Sequence, residues 1–452
     1  MKKLVTIIMT AFIIFSVSGI QAGAETIITP SISFPGDEFG NSVDMADNVA
    51  IVGTLTNENG AAFVYENDNN GWVEKAILTA SDNASGFGSK VAISQSFAVA
   101  ANYGENVYMF QKPESGWQDM TETNKIQLYQ PGYEAIAIND LSIHGNTLAV
   151  CYSANYQNEI IRPVLIYNYT GNNWILTDTI SSENYGIHGE NYERCEGNYG
   201  SRIDVFDDFL IIGSEKCGAL VYKKENGKWV FNAKLITNVT EATKFFGRDV
   251  AISEDIAIVG DNGTRSAYIF KYDGDTDTWV NNKKPKKLNE SEDALYYGLS
   301  VDITKEFAVV GSLAFRTNEL GPCGAAFLYK LKKLNKEDEV YEKVNKYIAP
   351  TPQFFGRYGW SVALSENHLL VGNPGDQIDG FDGSAVIYDL FVPGDLDKDG
   401  DIDKEDLAIL RLYLNQPASD FPSADLNNDG VINILDARKI IISCSYPGCE
   451  CR

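Results

Sequence analysis

Seven times between residues 34 and 391 the chain returns to one six-residue pattern, Gly-x-x-V/I/L-x-M/I/V/L. It begins at Gly40, Gly88, Gly200, Gly247, Gly298 and Gly359, and a degenerate copy has Ile138 in place of Gly before Leu141-Ser142-Ile143. The copies lie 47 to 62 residues apart, the range of one propeller blade. An aromatic usually stands just before the Gly: Phe39, Phe87, Tyr199, Phe246, Tyr297 or Tyr358. A tight polar turn follows each copy, then a second apolar strand such as 49–53, 97–101 or 256–260, then a third such as 61–65 or 219–222. Next come a polar turn and an aromatic, Trp72, Trp117, Trp174, Trp229, Trp279 or Tyr341, and a short fourth strand. Four short alternating strands repeated seven times predict an all-β seven-bladed propeller over residues 25–391.

The seventh unit stops after its third strand. Glu25-Thr26-Ile27-Ile28-Thr29-Pro30 resembles Lys75-Ala76-Ile77-Leu78-Thr79-Ala80, so the N-terminal segment is expected to supply the missing fourth strand and leave no open sheet edge. One Trp per repeat at an equivalent place reads as a blade-packing residue. A ring of sugar-stacking platforms is the alternative.

The Phe-Gly pairs at Phe39-Gly40, Phe87-Gly88 and Phe246-Gly247, with Val52-Gly53 and Val371-Gly372-Asn373-Pro374-Gly375, resemble the FG-GAP repeats of integrin α-subunit propellers and their bacterial relatives. Calcium-binding repeats of that family carry Asp-x-Asp-x-Asp-Gly between the first two strands. Here those turns are Ala46-Asp47-Asn48, Ser253-Glu254-Asp255 and Ser365-Glu366-Asn367, too short to wrap a cation, so blade calcium is not implied. The loops of one propeller face vary most. They hold Tyr185, His188, Tyr192 and Tyr199 in one place, Asp376, Asp379, Phe381 and Asp382 in another, and Phe315 and Arg316 in a third. Aromatics beside carboxylates suit recognition of a glycan or a cell-surface protein; an ordinary polar rim is the alternative.

Near the C-terminus one loop pattern occurs twice: Asp395-x-Asp397-x-Asp399-Gly400-x5-Asp406 and Asp425-x-Asn427-x-Asp429-Gly430-x5-Asp436. Each matches the twelve-residue calcium loop with Asp in place of Glu at its last position. Calcium takes six to eight oxygens, and such spacing turns the side chains at positions 1, 3, 5 and 12 and the carbonyl at position 7 toward one point. Asp401 and Val431 would lend carbonyls, and Asp403 and Asn433 would act through water. Pro393-Gly394 and the segment Pro417–Pro422 break any helix entering the loops, so each unit is a loop followed by one helix, 406–414 and 436–443.

Residues 394–443 resemble a dockerin, a small α-helical calcium-binding module of paired loop–helix units, carried by Gly394–Ile402, Leu407–Leu414 and Ala424–Asn433. The resemblance implies two calcium ions and a cohesin domain of a scaffold protein as partner. It also implies that partner choice rests on Lys404 and Glu405 in the first copy, Ile434 and Leu435 in the second, and the following helices with Arg411, Arg438 and Lys439. Neither pair is the Ser/Thr pair common in the family, which leaves the choice of cohesin open.

Lys2-Lys3, an apolar run to Ile20 and Ala22-Gly23-Ala24 read as a secretory signal peptide over residues 1–24. The module at 392–452 and the propeller would then be secreted, held at a cell surface through a scaffold. The formal net charge is −25, and losing Lys2 and Lys3 leaves −27, which disfavours nucleic acid and anionic membrane. Of seven cysteines, Cys195 and Cys217 could pair, Cys444, Cys449 and Cys451 crowd the tail, Cys151 reads as buried and Cys323 as free. No nucleophile elbow, zincin motif or phosphate loop occurs, so no catalytic residue is assigned. The expected function is a non-catalytic propeller docked through calcium and cohesin in a cellulosome-like assembly. A polysaccharide-degrading glycoside hydrolase or lyase using the propeller's variable face is the alternative, and a carboxylate pair across the propeller centre could serve it.

Overall fold

The computed structural model describes residues 25–444 apart from 33–35, 56–59, 69–70, 129–130, 158, 182–198, 215–217, 238–244, 280–285, 291–292, 318–320, 334–338, 379–380, 391–393, 397–401 and 428. The chain divides into two compact units, one spanning Ala22–Phe391 and one containing Val392–Arg452.

The first unit is a seven-bladed β-propeller. Its seven sheets have inner strands Ser42–Ala46, Lys90–Ile93, Tyr133–His144, Tyr199–Phe206, Phe246–Ser253, Ala294–Ile303 and Val362–Leu364. Strands follow one another outward from there as antiparallel neighbours. The second strands Val49–Gly53, Phe97–Ala101 and Ile256–Asp261 are buried at every residue. They face an adjacent blade on both sides, so they read as continuous apolar runs rather than the alternation expected of a half-exposed strand.

The repeated Gly has a geometric cause. Gly40 sits at φ +90°, and a Cβ there would lie 2.4 Å from the carbonyl oxygen of Ser384 in the seventh blade. Gly298 sits at φ +88° with its phantom Cβ 2.4 Å from Ser266 O in the fifth. Each marks the point where a blade's inner strand enters against the backbone of the blade before it, a place no side chain fits. The preceding aromatics fill the space beneath: Phe39, Phe87, Tyr297 and Tyr358 are all fully buried.

The seventh blade runs Val362–Leu364, His368–Ile378, Phe381–Asp389 and then Glu25–Ile28. The N-terminal strand pairs antiparallel with the last one, Glu25 opposite Tyr388 and Ile28 opposite Ala385. The ring is closed by joining the two ends of the propeller sequence in one sheet.

The tryptophan series packs between blades. Trp72, Trp117, Trp229 and Trp279 are buried. Trp72 meets His368 of the seventh blade edge-on at 5.0 Å, Trp174 meets Phe97 at 5.1 Å and Trp279 meets Phe209 at 5.7 Å. Each reaches the second-strand entrance of the preceding blade, so these rings are not open sugar platforms.

In the second unit, α1 (Lys404–Leu412) and α2 (Ile434–Ser443) start two residues earlier than their sequence spacing suggested. Asp403 and Asn433 act as N-caps, and Asp406 and Asp436 reach back to the cap backbone as capping boxes, which pulls loop positions 10 and 11 into the first turn. Ile402 and Ile432, both at loop position 8, are buried in one cluster with Leu410 and Ile440.

Candidate functional sites

The second calcium-type loop is described almost whole. Asp425 accepts hydrogen bonds from the backbone N–H of Asp429 (3.2 Å) and Gly430 (2.8 Å), which folds the loop around its first residue. Asp429 accepts from Val431 N (3.0 Å), and Asn433 Nδ2 donates to Asp429 Oδ2 (3.1 Å) and to Val431 O (2.9 Å). Asp436 closes the loop: its oxygens accept from Asn427 N (3.1 Å) and Asn433 N (2.8 Å). Positions 5, 7 and 9 therefore converge, with an amide donor standing between two oxygen acceptors. In the first loop Asp406 does the same for Leu396 N (2.5 Å) and Asp403 N (2.7 Å). Asp395, Asp403 and Asp406 are buried. Asp397, Asp399 and Asp401 lie outside the described residues.

A donor set made only of carboxylate, amide and carbonyl oxygens on a tightly turned loop fits a hard cation such as calcium. Among the described residues no three His, Cys, Asp or Glu side chains stand together as ligands. In the second loop the set includes the amides of Asn427 and Asn433 and the carbonyl of Val431.

The two helices present different outer faces. On α2, Ile434, Leu435, Ile441 and Ile442 are exposed, at 71%, 52%, 56% and 74%. With Arg438 they fall at i, i+1, i+4, i+7 and i+8, one helix face. The equivalent face of α1 carries Lys404, Glu405, Ala408, Arg411 and Leu412, all exposed. Lys439 instead donates to Leu426 O (2.6 Å) and braces the second loop. Cys444, at the end of α2, is disulfide-bonded, with its partner outside the described residues. Cys151 and Cys323 are free and buried.

The candidate face residues of the propeller are dispersed. Tyr185, His188, Tyr192 and Asp379 lie outside the described residues, as do Cys195 and Cys217; Tyr199 begins the fourth blade's inner strand. Asp376 is buried and accepts from Ser384 Oγ (2.6 Å) and Gln377 N (3.0 Å); burial raises its pKa. Asp382 accepts from Gly36 N, and its own carbonyl accepts from Phe39 N (3.0 Å). Asp382 thus ties the junction between the seventh and first blades, whereas Asp376 joins two neighbouring strands within the seventh. Phe315 is buried in the core.

The polar residues that do converge line the central channel. They come from the third and fifth positions of the repeat, the ones between its apolar anchors. In the third-position ring Ser42 accepts from Val91 N (3.1 Å), Asp140 from Ile203 N (3.1 Å) and Asp249 from Val301 N (2.7 Å), each donor on the next blade. Ser300 and Ser361 donate to Gly359 O (2.9 Å) and Gly40 O (2.8 Å), again one blade on. Arg202 pairs with Asp249 at 3.5 Å. The fifth-position ring repeats the device: Asp44 accepts from Ile93 N (2.7 Å), Asp204 from Ile252 N (2.8 Å) and Asp302 from Leu364 N (2.6 Å). Each inner strand has an open edge facing the channel, and the previous blade's side chain satisfies its N–H groups there.

These carboxyls are half-buried, reached by water only along the channel. Burial pushes Asp44 and Asp204 up to about 7 and Asp249 up to about 6, and raises Asp302 well above the carboxylate range. Two cavities of about 460 and 480 Å³ meet at Asp44, Ser142, Asp204 and Asp302. The first opens among Lys90, Arg202, Arg248, Tyr103 and Trp360. Sequence reasoning missed this mouth. The available signal was the repeat itself: Trp360 is the one Trp outside the fourth-strand series, and it occupies the repeat's second position.

Residues 393–442 match the dockerin type I domain, and residues 23–65 and 229–270 match the FG-GAP repeat. The chain thus carries FG-GAP repeats and a dockerin type I domain. Such domains bind calcium and imply assembly through a cohesin. No curated protein matches the chain. Similar solved structures include the β-propeller domain of Myceliophteria thermophila Cps50 (Swd1), 10% identical with a TM-score of 0.47, covering 81% of this chain and 100% of that one. The WD40 domain of Toxoplasma gondii coronin is 8% identical with a TM-score of 0.47, covering 86% of this chain and 92% of that one. Among the described residues no helix is long and apolar enough to cross a membrane.

Proposed function

We propose that this chain is a secreted recognition subunit, a propeller that binds a glycan or protein and is held on a cohesin-bearing scaffold by its calcium-loaded dockerin. The observation that carries the reading is the apolar outer face of α2. Four large aliphatic side chains stand uncovered there, beside the dockerin match that names the class of partner. The ions would be held by Asp395, Asp397, Asp399, Asp401, Asp403 and Asp406 in one loop and by Asp425, Asn427, Asp429, Val431, Asn433 and Asp436 in the other. Calcium would supply the charge that gathers these oxygens. The chain's own contribution is the cap-and-brace geometry through which a filled loop fixes the start of each helix. Docking through Ile434, Leu435, Ile441 and Ile442, with Arg438 at the centre, calls for a cohesin surface with an apolar patch. Lys404, Glu405 and Arg411 on α1 would read a polar one.

Capture of the full chain by immobilised cohesins from the same source, with calcium and with chelator, tests this. Ile434→Asp and Ile441→Asp should each weaken capture at least about tenfold, since desolvating a charge in an apolar interface exceeds the roughly 1.4 kcal/mol that tenfold represents. Lys404→Ala should change it little. Capture that survives chelator, or that fails with Lys404→Ala alone, would remove the α2 assignment.

A further inference from the structure

The third-position ring of the channel has seven members, and six of them are engaged by neighbours. Ser42, Asp140, Arg202, Asp249, Ser300 and Ser361 all make the hydrogen bonds or ion pair described above. Lys90 is the exception: among the described residues it has no hydrogen-bond or ion-pair partner. Its ammonium stands in the channel, crowded by protein and by the Arg202 guanidinium, and these disfavour its charged form and lower it to about 8. Asp140 and Asp249 favour its charge through space, but neither bonds to it, so the ammonium is left open to an anion from outside the fold.

The same cavity has an aromatic wall. At the repeat's second position the other blades place Asn41, Ser89, Asn139, Ser201, Arg248 and Leu299, whereas the seventh places Trp360. Its ring is half-buried and lines the cavity instead of packing between blades. Arg357 stacks on it with the guanidinium carbon 5.5 Å from the ring centre, and Arg357 is itself fixed by Glu38 at 2.8 Å. Arg357 also holds φ +63°, a left-handed conformation that a residue with a Cβ adopts only under constraint from its surroundings. Tyr103 lines the cavity too and is exposed.

Around the ring the charges alternate: Lys90, Asp140, Arg202, Asp249. Deeper in stand Asp44, Asp204 and Asp302. Such a site disfavours a multiply charged anion, because acids flank every base. It suits a molecule with one carboxylate, many hydroxyls to donate to the acids, and an apolar face to lie on an indole. A cavity of about 460 Å³ falls in the usual range for small-ligand sites and holds one or two sugar rings.

We propose that this channel mouth binds a uronate residue of an acidic polysaccharide, its carboxylate on Lys90 and its ring face on Trp360. The inference rests on the reading of the propeller as a recognition subunit and names the class of glycan it takes.

The test is affinity electrophoresis of the full calcium-loaded chain through gels containing polygalacturonate, alginate or glucuronoxylan, each beside its carboxyl-reduced twin. At least one acidic polymer should retard the chain while its reduced twin does not. Lys90→Met and Trp360→Ala should each weaken that retardation about tenfold or more. Lys305→Met, at the opposite end of the channel, should leave it unchanged. Tryptophan fluorescence melting shows whether each variant folds, and a second substitution of the lysine, Lys90→Gln, stands in should Lys90→Met fail to fold. Retardation by none of the three polymers overturns the inference. Equal retardation by a reduced twin overturns it while leaving the propeller a glycan binder, and loss with Lys305→Met places binding at the other end. Cohesin capture of the same chain does not depend on Lys90, so failure of the docking reading is scored separately.

Discussion

Single residues hold the ring together through side chain to backbone bonds that cross from blade to blade. Asp204 shows the principle best: its oxygens accept from Ile252 N and Val205 N and from Ser142 Oγ (2.8 Å), so one carboxyl joins three consecutive blades. Asp204→Ala should leave a buried N–H unpaired and cost about 1–3 kcal/mol, read as a lower fluorescence midpoint in urea. Asp204→Asn, which keeps an acceptor oxygen, should cost less. The titration has a definite sign. Burial raises Asp44 and Asp204 from 3.8 to about 7, so folding favours their protonated forms. Their stabilising contribution is complete below about pH 4 and is lost as pH rises to about 7. His368, lowered by burial beside Trp72, works the other way below its ordinary value of 6.5. Melting of the wild type and of the Asp44→Asn, Asp204→Asn double variant between pH 4 and 8 should therefore differ in slope, the wild type losing more stability toward alkaline pH. Parallel curves would mean that the channel's water already solvates these carboxyls fully.

At the scale of elements, the closing strand and the capped helices carry the testable weight. Deleting residues 25–30 removes the four-residue ladder and the buried Ile28. It should lower the melting temperature sharply and let the uncovered edge of Phe381–Asp389 recruit a second chain, seen as dimers on size exclusion. Asn433→Ala removes the α2 N-cap and a loop position together. It should cost about 1 kcal/mol of helix stability and weaken calcium binding. The elements were legible where sequence chemistry is local. The repeat at Gly40 and its six counterparts announced each inner strand, though two begin earlier than the repeat, at Tyr133 and Ala294, and the likeness of Glu25–Pro30 to Lys75–Ala80 announced the closing strand. The helix starts were misplaced because capping boxes at Asp403–Asp406 and Asn433–Asp436 serve loop and helix at once. The channel mouth was not legible, because Lys90, Arg202 and Trp360 stand some 110 to 270 positions apart in sequence and meet only through seven-fold closure. Variable loops drew attention to Asp376 and Asp382 instead; Asp376 ties two strands within the seventh blade, and Asp382 ties that blade to the segment entering the first.

For the whole molecule, the two units should answer to different conditions. All six tryptophans precede residue 391, so intrinsic fluorescence reports the propeller alone. The turns between first and second strands hold no Asp-rich loop. Adding chelator should therefore leave the fluorescence melting curve unchanged while abolishing the helical circular dichroism lost with α1 and α2. A joint shift of both signals would reveal cation binding in the blades. The net charge of −25 should keep the chain soluble and make its encounter with acidic polysaccharide depend on salt, since the field of the whole opposes the cations of the mouth.

Closing the ring with the first strand has a mechanical consequence. The path to the dockerin leaves the propeller from Phe381–Asp389, and that strand is not an edge: Glu25–Ile28 flanks it on one side and His368–Ile378 on the other. If the propeller is held and the dockerin is pulled away from it, tension enters the fold on a strand bonded along both flanks. It must shear two ladders together instead of unzipping one bond at a time. A tether built this way holds its load longest when the pull runs along the strand.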